Sequence, residues 1–337
     1  MKTHIEKCLS GSNLTVDEAS RALGTIMTGQ ATDSQIAGLL VALRAKGETI
    51  DELVGFARTM REHAVKMTID DPDAVDVCGT GGDGLGTFNI STVASFVVAG
   101  AGVTVAKHGN KSISSQSGSA DVLSALGVNV QCSADVVQTC INRIGIGFLF
   151  APLFHPAMKY VGKARAELGV RSIFNMLGPL TNPAGVKRQL IGVYQRDVTA
   201  KLAGALQKLG VERACVVHSD DGMDEVTLSA GTVVHEVNNN ETPKEYHVQP
   251  KDFGLPHYAL ASVRGGDKKD NAAITLDVLQ GKKGPARDVV LANSALGIYV
   301  SGKAKTLSEG RQMAENSIDS GKAMDKLQQL IKYTDHP

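Results

Sequence analysis

Residues 75–100 read VDVCGTGGDGLGTFNISTVASFVVAG. Val75 and Val77 lead in with the alternation of a strand, and Val93, Phe96 and Val97 follow at helical spacing, so the segment reads as strand, glycine loop, helix. Gly79, Gly81, Gly82 and Gly84 allow left-handed backbone and close approach to a ligand, leaving N–H groups to face an anion. Asn89, Ser91 and Thr92 end the loop as small polar caps of a helix whose positive N-terminus would sit under a phosphate. The spacing is not GxxxxGK[ST], since no Lys follows the last Gly, and not GxGxxG opening directly onto a helix. A plain glycine turn joining strand to helix is the simpler alternative.

A second cluster, KHGNKSISSQSGS at 107–119, follows another alternating run at Val103 and Val105. Lys107 and Lys111 supply point charges among serines, glycines and Asn110, a donor mixture suited to a polyphosphate, although a solvated surface loop has the same composition. Loops after successive parallel strands converge at one sheet edge, so the two clusters are expected to share a ligand. Farther on, Asp224 and Glu225 follow the apolar run Val216 and Val217. Adjacent carboxylates can hold Mg2+, which takes one or two of them and completes its shell with water and phosphate oxygens. Asp220, Asp221 and Gly222 equally suit an exposed acidic turn. Arg165 can fork onto a carboxylate, or form an ordinary surface ion pair.

Composition narrows the class. Lys and Arg number 35 against 35 Asp and Glu, so the chain has no electrostatic footprint for general nucleic-acid binding. With 337 residues, 42% of them hydrophobic, it can build a sizeable core over about two domains. Cys8, Cys78, Cys132, Cys140 and Cys215 are scattered without CxxC spacing and read as reduced thiols in a cytoplasmic protein. The segment MKTHIEKCLSG has no apolar signal core and no run of 18 apolar residues occurs, so neither secretion nor a membrane partner is expected.

Three capping boxes, Thr15 with Glu18, Thr32 with Gln35 and Thr49 with Glu52, each open a helix. Residues 1–70 therefore read as a small helical domain, with Asp71, Pro72 and Asp73 as the hinge out of it. From residue 74 strands and helices alternate, giving an α/β fold with a central, mainly parallel sheet. Strands are expected near 75–78, 103–106, 128–131, 146–150, 189–194 and 213–218, and a hairpin tip at Asn238, Asn239, Asn240 and Glu241. The stretch 163–183 has the length of a helix returning to the helical domain, leaving 74–162 and 184–337 as the α/β donor-binding domain.

The strings GTGGD (79–83), NIST (89–92), KHGN (107–110), SGSADVLSALG (117–127), GVRSIFNMLGPLTNP (169–183), DGMDE (221–225) and GGDKKDNA (265–272) resemble the anthranilate phosphoribosyltransferase family, essentially end to end. The resemblance implies transfer of the 5-phosphoribosyl group from phosphoribosyl pyrophosphate to the amine of anthranilate, in tryptophan biosynthesis. It implies that Gly79, Gly82, Asp83, Thr87, Asn89, Ile90, Ser91 and Thr92 bind the donor. From the second loop it adds Lys107, His108, Gly109, Asn110, Lys111, Ser112, Ser114, Ser115 and Ser119. Anthranilate would meet Gly79, His108, Asn110, His155 and Arg165; Ser91, Asp224 and Glu225 would hold magnesium, two Mg2+ per active site; Lys107 and Arg165 would be catalytic. The family also implies a homodimer through the helical domain. Lys163 and Ala164 depart from it, standing before Arg165 where an apolar pair, often with a proline, is usual. Competing readings are a pyrimidine nucleoside phosphorylase-like enzyme, which would carry a different string around its lysine, and a non-catalytic ligand-binding relative, which need not keep the NIST, KHGN and DE elements.

Overall fold

The computed structural model describes residues 1–111, 117–239 and 241–335. The chain opens with four helices, α1 (Lys2–Leu9), α2 (Val16–Met27), α3 (Asp33–Lys46) and α4 (Ile50–Glu62). All three capping boxes form, with Thr15, Thr32 and Thr49 each accepting the N3 backbone N–H. Leu23, Ile26, Leu39, Leu43, Leu53 and Phe56 from these helices are completely buried together.

The remainder alternates: β1 (Val75–Gly79), α5 (Ile90–Gly100), β2 (Val105–Gly109), α6 (Ser119–Ala125), α7 (Ala134–Ile144), β3 (Ile146–Phe150), α8 (Ala151–Phe154), α9 (Lys159–Leu168), α10 (Phe174–Leu177), β4 (Arg188–Gly192), α11 (Arg196–Lys208), β5 (Arg213–Ser219), β6 (Thr232–Asn238) and β7 (Lys244–Val248). Four helices close the chain, α12 (Lys268–Leu279), α13 (Pro285–Ser301), α14 (Leu307–Asp319) and α15 (Lys322–Asp335). The seven strands form one sheet in the order β3-β2-β1-β4-β5-β6-β7. Pairs among β1 to β5 are parallel, and β6 and β7 add an antiparallel edge. Strand order reverses between β1 and β4, the crevice where open α/β sheets bind ligands.

Period-two alternation splits the sheet between two cores. Val75, Val77, Val105, Leu190, Cys215 and Val217 face α5 and α13. On the other face, Ile191, Val216 and Val237 join α11 and the N-terminal helices in one continuous core. The stretch expected as one returning helix is instead α9, stopped by left-handed Gly169, and the single turn of α10 followed by a 3-10 turn, Gly178–Leu180. Helix α9 packs on α2 and α3, and α10 on α4.

One expected strand does not form. Residues 128–131 are not a strand: Val128 and Val130 are buried core residues, but both edges of β2 are taken by β1 and β3, and the Asn129 N–H donates to Thr334 of α15. Alternation there records burial on one side, not sheet pairing. Strands β6 and β7 were anticipated only through their hairpin tip, and of that tip Asn240 lies outside the described residues.

At the reversal Gly79 pairs with Gly192, and a Cβ added to Gly192 would lie 1.6 Å from the backbone oxygen of Asp224. Backbone cannot yield as a flexible side chain can. Gly192→Ala is therefore expected to cost about 1–3 kcal/mol through overpacking and to lower the melting temperature in a thermal scan. A wild-type melt would show that the loop after β5 moves aside freely.

Candidate active site

Three loops meet above the reversal: 80–89 after β1, the residues after β2, and 220–226 after β5. In the first, Gly81, Gly82 and Gly84 take φ of +64°, +86° and +77°. Gly79 does not, which corrects the reading that all four glycines turn left-handed. It ends β1, and its missing side chain leaves room for the Gly192 carbonyl and the Asp224 carboxylate, 3.3 and 3.4 Å from where a Cβ would stand.

Helix α5 begins where expected, but its N-terminus is capped differently. The side chain of Asn89 makes no cap; its Nδ2 donates to the Ser117 carbonyl at 3.2 Å and its Oδ1 accepts from Asn271 Nδ2 at 3.0 Å. The Ser91 N–H donates to Glu225 Oε1 at 3.0 Å. The positive end of α5 thus already holds the protein's own carboxylate. Ile90 and Thr92 are buried in the first turn, while Thr87 bridges to Arg264 at the loop's outer side. Asn271 had no place in the sequence reading, although it lies within GGDKKDNA; it is buried and also accepts from the Gly266 N–H.

Asp224 and Glu225 crowd with Asp83, whose Oδ2 accepts from the Asp224 N–H at a long 3.5 Å. Burial, then the charges of Asp83 and Glu225, hold the Asp224 carboxyl well above the usual carboxylate range. Burial also raises Glu225, to about 7, against the pull of Lys107 and Ser91. An anionic cluster short of cations is what a divalent ion neutralises. Mg2+ is an ion that draws on one or two carboxylates and completes its shell from water and phosphate.

Lys107 is buried, its Nζ donating to the Val77 carbonyl at 2.5 Å with Asp76 and Glu225 as its charged neighbours. It lies beneath the acidic pair. His108 alternates to the opposite face, where Nδ1 meets the Gly178 carbonyl at 3.2 Å and the ring lies 5.3 Å from that of His155. Burial lowers the two histidines to about 3 and about 4, so both are neutral at pH 7. Gly109 admits Ser119 and Phe148, either of which a Cβ would strike. Asn110 accepts the Lys111 N–H through Oδ1 and the Ser119 hydroxyl through its carbonyl, and Lys111 stands 5.8 Å from the Phe150 ring. Ser112, Ser114 and Ser115 lie outside the described residues.

On α9 the guanidinium of Arg165 stacks 5.2 Å from the Phe174 ring centroid, half-buried, and among the described residues no carboxylate pairs with it. Lys163, one of the two departures from the family pattern, points away from the cleft and pairs with Asp33 on α3 at 2.8 Å, while Ala164 is buried in the helical core. The exposed pair links α9 to α3 at the surface. The site therefore sets a crowded acidic cluster over the glycine loop and, on α9, a half-buried arginine with no carboxylate partner among the described residues.

Residues 2–64 match the helical bundle domain of the glycosyl transferase family, and residues 71–324 match its a/b domain. The chain is 51% identical over 335 residues to the anthranilate phosphoribosyltransferase of Moorella thermoacetica, covering 99% of this chain and 98% of that one. A crystal structure of the Thermus thermophilus anthranilate phosphoribosyltransferase superposes with a TM-score of 0.94 at 40% identity, covering 98% and 99% of the two chains. The Saccharomyces cerevisiae enzyme, in complex with phosphoribosyl pyrophosphate and magnesium, gives 0.91 at 29%, covering 100% and 98%.

The raised Glu225 carboxyl has a consequence for stability. Between an unfolded value near 4.5 and a folded value of about 7, the folded chain binds more protons than the unfolded one. Stability therefore falls as pH rises through that window. In EDTA the melting temperature is expected to decline from pH 5 to pH 8, and millimolar Mg2+ to flatten the decline. Parallel curves with and without the ion would remove these carboxylates from any metal site.

Proposed function

The chain belongs to the anthranilate phosphoribosyltransferase family, and on that premise we propose how its own residues divide the work. It transfers the 5-phosphoribosyl group from phosphoribosyl pyrophosphate to the amine of anthranilate, releasing pyrophosphate, in tryptophan biosynthesis. The single observation that carries the reading is the pairing of a cation-poor carboxylate cluster over the glycine loop with an unpaired, half-buried arginine across the cleft.

Leaving-group departure builds positive charge at the ribose C1 and negative charge on pyrophosphate. Magnesium, when bound, supplies the charge that neutralises the departing pyrophosphate. We propose that Asp224, Glu225 and Ser91 hold it, with two ions per site, because the adjacent carboxylates address different neighbours: Asp224 the Asp83 side, Glu225 the start of α5. Gly79, Gly82, Asp83, Thr87, Asn89, Ile90 and Thr92 frame the donor from the first loop. Gly109, Asn110, Lys111, Ser112, Ser114, Ser115 and Ser119 frame it from the second. Lys107 acts from beneath as the fixed positive charge that lets Glu225 remain anionic at the moment of transfer.

Across the cleft, Arg165 forks onto the anthranilate carboxylate, while Asn110, Gly79, His108 and His155 wall the aromatic ring. The aniline nitrogen is a free base at pH 7 and needs orientation more than deprotonation. The helical domain comprises 1–70 with the segment 163–183, and 74–162 with 184–337 forms the donor-binding domain. We further propose a homodimer through the helical domain, supported by Leu9 and Val41 exposed on α1 and α3. A cytoplasmic location is supported by five buried free thiols; no helix among the described residues is long and apolar enough to cross a membrane.

Loss of anthranilate fluorescence on adding phosphoribosyl pyrophosphate and Mg2+ measures the reaction directly. Arg165→Ala is expected to raise the apparent KM for anthranilate by a factor corresponding to about 1.5–3 kcal/mol, the worth of a charge-assisted hydrogen bond, and to leave the donor KM nearly unchanged. A fall in donor affinity instead would move Arg165 to the pyrophosphate side.

A further inference from the structure

Arg171 lies between α9 and α10, two residues past the left-handed Gly169, and has no role in the division of work above. Its neighbours Ile173 and Phe174 are buried in the helical core, so its backbone is anchored on the acceptor side of the cleft. Its side chain crosses to the donor side. Nη2 donates to the carbonyl of Gly82, in the middle of the glycine loop. The guanidinium plane sits 4.2 Å from the centroid of the Tyr194 ring. Tyr194, just after β4, donates its own N–H to Thr80 Oγ1 at 3.1 Å. One stacked side chain thereby joins the acceptor segment, the end of β4 and the glycine loop.

The loop needs such a tie. Four left-handed glycines, Gly81, Gly82, Gly84 and Gly86, give it many alternative conformations; its backbone is held at the ends by the Thr80 N–H to the Gly192 carbonyl and the Gly265 N–H to the Gly86 carbonyl, and near its start by the Gly81 N–H on the Asp224 carboxylate. Between them, a trans peptide whose carbonyl is held by Arg171 must turn the following N–H, that of Asp83, the opposite way. The direction of that donor group is thus set by the arginine. A planar guanidinium can stack and donate at once, which an ammonium cannot do.

We propose that Arg171, stacked on Tyr194, is a positioning residue for the donor: by holding the Gly82 carbonyl it fixes the glycine loop in the form that receives phosphoribosyl pyrophosphate, and it links that form to the acceptor helix. The inference rests on the transferase reading above. Isothermal titration of the full chain with phosphoribosyl pyrophosphate and Mg2+, alongside steady-state kinetics and a thermal melt, tests it. Arg171→Ala is expected to weaken donor binding roughly five- to twenty-fold and to leave the anthranilate KM within about twofold and the melt close to wild type, since the side chain is exposed. Arg171→Lys should recover only part of the loss. Tyr194→Phe, which keeps the stacking face, should bind donor better than Tyr194→Leu, and the Arg171→Ala, Tyr194→Leu double variant should be no worse than Arg171→Ala alone. Unchanged donor affinity in Arg171→Ala overturns the proposal, as does an equal loss for donor and acceptor with a depressed melt, or full additivity in the double variant. A wild-type chain that binds no donor overturns the transferase reading itself, a result the variants cannot mimic.

Discussion

The close approach of three backbones at the strand reversal is the constraint on which the site depends. Gly79 and Gly192 lie side by side, and the Asp224 carbonyl occupies the space a side chain at 192 would need. That contact pulls the loop after β5 down onto the sheet. It brings Glu225 to the first turn of α5, where the Ser91 N–H receives it, and sets Asp224 beside Asp83. Three carboxylates then share a poorly solvated space with one buried lysine beneath them. Like charges in low dielectric are costly unless paired, so the fold stores there an unsatisfied demand for positive charge. On the proposed assignment, a cation brought in with a pyrophosphate would meet that demand.

Alternation along β2 sends Lys107 and His108 to opposite faces of the sheet. Lys107 follows Val105 toward α5 and the acidic pair; His108, one residue on, faces the segment at 178–182. Behind them, Asp76 accepts from the His108 N–H and from Asn182 Nδ2 at 2.8 Å, and Asn182 also donates to the Ala106 carbonyl. Asp76 is fully buried, and Lys107 is its compensating charge. A single network thus ties the segment returning from the helical layer to the strands that carry both loops. Buried polar bonds between the two segments hold them in register.

Much of this was legible in the sequence, and where reading failed the reason is physical. Capping boxes are local, with both partners three residues apart, and Thr15, Thr32 and Thr49 formed them as written. The glycine loop and the strand before it were likewise legible, because turn chemistry and alternation are carried by contiguous residues. Asn89 looked like a cap by the same local logic, yet it is drawn into bonds with Ser117 and Asn271, residues 28 and 182 positions away. Glu225 reaching Ser91 spans 134 positions. No spacing rule finds such a pair. Val128 and Val130 show the converse, a local pattern with two causes: burial under α15 alternates as a strand does, and only the occupied edges of β2 decide between them. Arg171 sat inside a quoted string without a role because its partner is a backbone carbonyl, invisible to side-chain chemistry.

The acceptor side follows a different electrostatic rule from the donor side. His108 and His155 are neutral well below physiological pH, since burial keeps both from charging and neither has a carboxylate partner to oppose it. On the proposed assignment Arg165 supplies the cation for the acceptor, and its own desolvation would make an incoming carboxylate its natural counter-ion. Were the histidines protonated, three positive charges would compete for that carboxylate and repel a developing cation at the ribose C1. On the proposed assignment, keeping them neutral would leave one directed charge for recognition and a low-polarity wall for the ring. Transfer in such a site is governed by placement of the two substrates, not by proton abstraction ahead of bond formation.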